Sequence, residues 1–282
     1  DNVFVDVTRN AVRYCDVART FNQCVAANGL ESSGQGNLAD QALAAIPDAS
    51  DAQRALDALS GEIHASLQGA ILEDSRFIRE AAIDRSRAAF LDIDTAGARP
   101  SGPDTAPVRG TAITAWARGF GSWGRWDGNG NAESFDRSIG GFLLGADASV
   151  NDDWRFGFVT GYDHASNDLA SRASNAGVDT YHIGAYGGSE IGRLGLRFGT
   201  AYSWHNVDTT RSVAFPGFSE TERGSYHAAT AQIFGEAGYR LEGEALSLEP
   251  FAGLAHVNYN SNNFTEKGGD AADPPPGSRR PR

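Results

Sequence analysis

From Ile113 to Asn260 the chain keeps one rhythm: short segments in which large apolar residues alternate with small, polar or charged ones. The segment Leu194–His205 shows it most plainly, with Leu, Leu, Phe, Thr, Tyr and Trp at even positions and Gly, Arg, Gly, Ala, Ser and His at odd ones. Successive side chains of a β-strand point to opposite faces, so each segment has one apolar face and one small or polar face. The pattern predicts seven strands, at about 112–123, 137–150, 153–163, 178–188, 193–205, 226–240 and 245–259. Long polar loops near 124–136, 164–177 and 206–225 take turns with short connections at Asn151–Asp152, Ser189–Gly192 and Leu241–Glu244. Long loops at one end and short turns at the other are the layout of an up-and-down outer-membrane barrel. A soluble sandwich has no reason to sort its loops by length.

Ahead of the strands the spacing turns helical over residues 37–90. Leu38–Leu43 reads as a short helix stopped near Pro47, and Ala52–Leu59 as a second one capped by Ser50 or Asp51. A third runs from Glu62 to about Phe90, with Ile63, Leu67, Ile71, Phe77 and Ile78 as a narrow apolar stripe among many charges. Such a helix wants polar surroundings and one thin contact. At 1.5 Å per residue it is long enough to cross a membrane of roughly 30 Å. Residues 1–36 read as a short strand (Val3–Val7), a Cys loop and a closing loop signal at Ser32–Gly36. The strand-like run at the first residues reads as a cut end. Residues 92–110, with Gly97, Pro100, Gly102, Pro103 and Pro107, read as a linker.

Aromatic positions strengthen the membrane reading. Trp154 and Tyr239 fall near short turns, and Tyr162, Tyr181, Tyr202 and Trp204 near long loops, all on the apolar side of their strands. Amphipathic rings at both ends of an apolar band suit an outer face that meets lipid headgroups. The opposite face carries Arg118, Asp147, Arg155, Asp163, Arg197, Glu236 and Glu249. In lipid an arginine near the midplane costs about 2–4 kcal/mol, whereas in a wet lumen it can pair. The expected partners are the helix charges Glu73, Asp74, Arg76, Arg79, Glu80 and Asp84.

Composition adds three points. The net charge of −12 argues against nucleic acid as a partner. The mean hydropathy of −0.37 does not exclude a membrane, because a transmembrane barrel places its apolar content on every second residue. Cys15 and Cys24 suit a small disulfide loop in an oxidising compartment, with two unrelated thiols as the alternative.

Candidate chemistry is sparse. Gly119–Gly124 fits GxGxxG, but no helix follows to bind a phosphate, so these glycines read as strand positions admitting a crowded lumen. Asp127–Asn131 imitates a calcium loop, yet Ala132 and Ser138 replace its required Gly and Glu. No two of the six histidines have metal-ligand spacing, leaving only a Ser-His-Asp site assembled across strands as a remote option. Neither a catalytic, a cofactor nor a metal site is expected.

Several motifs in order carry a family resemblance. Ala55–Ser66, Leu72–Phe77, Trp116–Gly124, Phe234–Arg240 and Leu248–Leu254 resemble the β-domain of type V autotransporters, the self-secreting outer-membrane proteins of Gram-negative bacteria. The likeness spans about residues 40–268. Residues 1–36 resemble the end of a passenger, and Phe4–Ala11 is similar to the segment downstream of subtilisin-like passengers. The resemblance implies an all-β transmembrane antiparallel barrel, a helix threaded through its lumen, and an N-terminal passenger carried to the cell surface. The implied partners are outer-membrane lipid, the passenger, the barrel-assembly machinery and periplasmic chaperones. The family's twelve strands end on an aromatic strand, whereas the pattern here breaks after Asp270 into Ala271–Arg282, rich in Pro and Arg. Prolines cannot donate to a ladder. The resemblance thus suggests a truncated or frame-shifted product of about seven strands with open edges.

The expected organisation is passenger end (1–36), helical linker (37–110), partial barrel (111–270) and aberrant tail (271–282). The expected role is transport without catalysis. The alternatives are the remnant of a secreted hydrolase, a subtilisin-like protease or esterase, whose catalytic passenger lies upstream, and a soluble β-rich binding protein.

Overall fold

A computed structural model of the chain describes residues 12–34, 37–90, 104–107, 113–151, 153–242 and 247–268. The expected strand at Val3–Val7, most of the 92–110 linker and the 271–282 tail lie outside the described residues.

Among the described residues six helices precede the sheet: α1 (Tyr14–Val17), α2 (Phe21–Ser33), α3 (Leu38–Ala44), α4 (Ala49–Leu59), α5 (Glu62–Asp74) and α6 (Arg76–Ala88). The cysteine segment is therefore helical, not a loop. Thr20 starts α2 with a capping box: its hydroxyl accepts from the Gln23 amide at 3.2 Å, and the Gln23 side chain accepts from the Thr20 amide at 3.3 Å. The Cys15–Cys24 disulfide, with Cα atoms 4.4 Å apart, ties α1 to α2. Asp48, rather than Ser50 or Asp51, caps α4, accepting the Ser50 amide at 2.7 Å. The long helix expected over 62–90 is interrupted at Ser75, whose hydroxyl turns back to the Leu72 carbonyl at 2.7 Å.

The strands are β1 (Asp104–Pro107), β2 (Ile113–Trp126), β3 (Phe135–Ser149), β4 (Trp154–Leu169), β5 (Ser174–Ile191), β6 (Leu194–Phe215), β7 (Phe218–Tyr239), the two-residue β8 (Leu241–Glu242) and β9 (Ser247–Leu248), and β10 (Phe251–Ser261). All but β8 and β9 form one antiparallel sheet in the order β1-β2-β3-β4-β5-β6-β7-β10. Its two edges, β1 and β10, are not paired with each other among the described residues. Within the expected linker, β1 is a strand, its register running from Asp104 opposite Ala117 to Pro107 opposite Thr114.

Two of the expected long loops are strands. Residues 206–215 and 218–225 extend β6 and β7 to a turn at Pro216–Gly217, where Gly217 takes the positive φ of 85° that a type II turn needs. Most of 164–177 likewise belongs to β4 and β5, joined by a single 3₁₀ turn. The cause lies in the outward residues: Asn206, Asp208, Thr210 and Ser212 are polar, so the alternation persists without looking apolar.

The sheet wraps around the α5–α6 helices. Side chains of α6 touch β2 (Arg118), β3 (Asp147), β7 (Glu236) and the β10 ring of Phe251. Strands lie about 4.8 Å apart and a helix is only about 10–12 Å across, so this reach demands a curled sheet.

Candidate functional site

The two sheet faces divide by register. Outward on β6 stand Leu194, Leu196, Phe198, Thr200, Tyr202 and Trp204, and no outward residue of β3–β7 between the aromatic ends is charged. Phe142, Tyr162, Tyr181 and Trp204 lie directly opposite one another across β3, β4, β5 and β6. The Tyr162 and Tyr181 rings are 5.3 Å apart, and Tyr202 packs on Trp204 at 4.7 Å. At the other end Trp154 lies against Phe156 and Phe198 at 5.9 and 6.2 Å, and Tyr239 faces Leu194. The ten steps from Leu194 to Trp204, at about 3.3 Å each and tilted about 40°, make a band about 25 Å tall. That is the height of an outer-membrane lipid belt.

The inward face grips the helices. Near the short-turn end the Arg85 guanidinium donates to both Asp147 carboxylate oxygens, at 2.6 and 2.9 Å. Asp147 also receives Arg155 and, at 2.8 Å, the Tyr186 hydroxyl. Arg118 reaches Asp84 at 2.8 Å. Glu236 accepts from Arg87 at 2.6 Å and Arg197 at 3.0 Å, and Arg197 pairs with Glu249 at 2.7 Å. Glu249 stands just before β10 rather than within a strand.

Midway, Gln232 uses both ends of its amide: its nitrogen donates to the Ser75 carbonyl at the helix break, and its oxygen accepts from Arg79, each at 2.9 Å. Arg137 holds Glu73 at 2.8 Å and also Asp74. Of the expected helix partners, Arg76 instead pairs along the helix with Glu73 at 3.9 Å, and Glu80 is exposed. Around these bonds Ile63, Leu67, Ile71 and Ile78 are buried, and Phe77 stacks on Phe120 at 4.7 Å.

Arg85, Arg87 and Arg137 do much of the gripping, and sequence reasoning missed them as partners. Arg85 lies seven residues past Ile78, on the same helical stripe, so its guanidinium faces the wall and not a polar side of the helix. The Gly119 and Gly121 expectation also needs correction: Trp116 and Phe120 face inward, so these two glycines point outward, and a side chain at Gly119 would meet nothing within 4 Å.

Asp163 faces inward but pairs with the sheet, not the helix. Its carboxylate bonds His182 at 2.6 Å, and the other His182 nitrogen bonds the Ser203 hydroxyl at 2.7 Å. A Ser-His-Asp row thus spans β6, β5 and β4. It borders an enclosed cavity of about 10 Å³, room for a single water. In the calcium-like loop, Asn129 closes the turn by accepting the Asn131 and Ala132 amides, and Asn131 docks on Asn22 of α2.

At the long-hairpin end the polar strand extensions form a mouth beyond the aromatic row. Tyr14, Leu30, Leu43 and Leu56 of α1–α4 pack with Val213 and Phe218 of the β6–β7 hairpin in one apolar cluster. Arg172 contacts Asp57, Glu62 and Glu133 at 3.1–3.4 Å. Arg211 donates to the Ala58 and Ser60 carbonyls at 3.4 and 3.3 Å and, bidentately, to Glu266 at 2.9 and 2.6 Å. His64 bonds Glu266 at 2.9 Å.

A sheet with an uncharged outer belt between aromatic rows, curled around a charged helix, defines the wall of an outer-membrane β-barrel. The profile of the autotransporter β-domain matches residues 115–273, and the chain belongs to that family. It is 41% identical over 224 residues to an extracellular serine protease of Serratia marcescens and 38% identical over 224 residues to a second. Each match covers 79% of this chain and 20% of the relative, so the chain spans about a fifth of their length. The fold is similar to the translocator domain of autotransporter NalP from Neisseria meningitidis, with a TM-score of 0.51 and 18% identity over 73% of this chain and 61% of that one. The chain thus carries an autotransporter β-domain, seated in the outer membrane.

Proposed function

We propose that residues 62–88 are the lumen helix of this translocator, that residues 12–59 cap its mouth, and that the passenger continues N-terminally from there. The observation that carries this is the Arg85–Asp147 pair, with side-chain exposures of 6% and 0%. Two charges so deeply buried are tolerable only when each satisfies the other, which fixes the helix against this wall. The role is delivery, not catalysis: the cavity beside Ser203, His182 and Asp163 has no room for a substrate, so the row serves as a polar stitch across three strands. The names of the Serratia relatives support a serine protease as the passenger. Insertion of so many strands is work for the barrel-assembly machinery, with periplasmic chaperones holding the unfolded chain before it.

The test is a cross-link. A side chain added at Gly188 would approach Ser86 Cβ to 3.2 Å, close to the Cβ separation a disulfide needs. Ser86→Cys with Gly188→Cys, in cells expressing the protein, is expected to form a bond between α6 and β5 in the outer-membrane fraction. Absence of that bond in a folded, membrane-inserted protein overturns the reading.

A further inference from the structure

Arg211 on β6 stands directly opposite Glu222 on β7, yet it does not bond it. Its guanidinium turns to Glu266 and to the carbonyls of the α4–α5 elbow. Glu222 is left 0% exposed, and among the described residues neither carboxylate oxygen has a cationic or backbone donor, its one side-chain contact being with the like-charged Glu220. A buried carboxylate without a donor is costly and is rare in native proteins. Here the missing donor is the neighbour across the ladder.

Glu266 belongs to a tongue, residues 262–268, that follows β10 and folds inward over the mouth. Lys267 exchanges two backbone bonds of 2.8 Å with Arg223, and Phe264 stacks on Tyr226 at 4.2 Å and meets the His64 ring at a tilt at 4.7 Å. The tongue therefore touches the first turn of the lumen helix, and Arg211 is the joint between tongue, elbow and hairpin.

We infer that Arg211 is a positioning residue with two alternative carboxylates: Glu266 when the helix is seated and the tongue is down, and Glu222 when the mouth is open. A passing chain needs the elbow and tongue out of the way, and a guanidinium stripped of both would be left buried and unpaired. The register-opposite Glu222 gives it a partner within the same hairpin, so opening the mouth strands no cation. Seating the helix then leaves Glu222 as the unsatisfied group, which keeps the two states close in free energy. The titration of the two acids agrees. Burial opposes it, but hydrogen bonds from His64 and Arg211 hold Glu266 down at about 2. Burial, with the adjacent Glu266 and Glu220 carboxylates, pushes Glu222 up to about 7.

This inference rests on the helix being the lumen plug, so the two are tested separately. In the full protein in outer membranes, hydrogen exchange is measured at the first turn of α5 and in residues 262–268. Glu266→Gln is expected to lower protection there about tenfold, and Glu222→Gln to raise it. Combined, the two changes are expected to depart from additivity by about tenfold, as groups sharing one partner do. Additive effects overturn the exchange. Should Glu266→Gln fail to assemble, Glu266→Asp enters the same cycle. If the Ser86–Gly188 cross-link forms while the cycle is additive, only the exchange falls. If the cross-link fails, the plug reading falls first.

Discussion

The Arg85 guanidinium and the Asp147 carboxylate meet through two parallel hydrogen bonds of 2.6 and 2.9 Å inside the wall. Removing one member of a buried pair strands the other, at a cost of about 3–5 kcal/mol. Asp147→Ala is expected to unseat the lower half of the helix, seen as a lower temperature for the heat-modifiable gel shift and larger conductance in planar bilayers. Replacing both residues by leucine is expected to be milder than Asp147→Ala alone, because the Arg85 guanidinium is then not left buried and unpaired. Equal severity would contradict the pairing.

The outer belt sets a second expectation. Phe158 is 73% exposed in mid-belt, whereas His164, on the same face of β4, lies beyond the aromatic row. Phe158→Arg is expected to cost about 2–4 kcal/mol and to reduce recovery from outer membranes, while His164→Arg leaves assembly unchanged. Equal yields of the two variants would remove the belt from where the register puts it.

The disulfide acts locally. Cys15 and Cys24 close a short loop on top of the mouth, and such bridges contribute about 2–4 kcal/mol. Cys15→Ser with Cys24→Ser is expected to speed proteolysis within α1 and α2 while leaving the gel shift of the barrel wall in place.

Glu222 gives the mouth a pH dependence of definite sign. Its folded value, about 7, lies above the ordinary glutamate value of 4.5, so its stabilising effect is full below about 4.5 and is lost as pH rises through about 7. The charged groups facing it are Arg211 on β6, Glu220 on its own strand, and Glu266 of the tongue, with His64 behind Glu266. Glu266 has the opposite sign: its contribution is present above about 4.5 and fades only toward about 2. Protection at the tongue is therefore expected to fall between about pH 5 and 8, and Glu222→Gln to flatten that slope. A slope unchanged by Glu222→Gln would point to another group.

The wall was legible in the sequence because parity is robust: one residue's shift would turn every Leu and Trp of β6 inward. The strand extensions were not, since beyond Trp204 both faces carry polar residues and only Val207 and Val213 betray the inner side. Thr20–Gln23 did carry a capping-box signal for α2 that the cysteines overshadowed. Which charges pair was beyond reach, because Arg85 meets Asp147 across 62 residues of separation and the curl of the sheet alone decides it.

The β6–β7 hairpin carries the wall far beyond the lipid belt. From Trp204 to Phe215 it rises eleven residues past the aromatic row, about 25–30 Å at 3.3 Å per residue and a 40° tilt. On the function proposed above, a passenger clears lipid well before it clears protein. Salt and protons of the medium, rather than the bilayer, govern the last stretch of its exit.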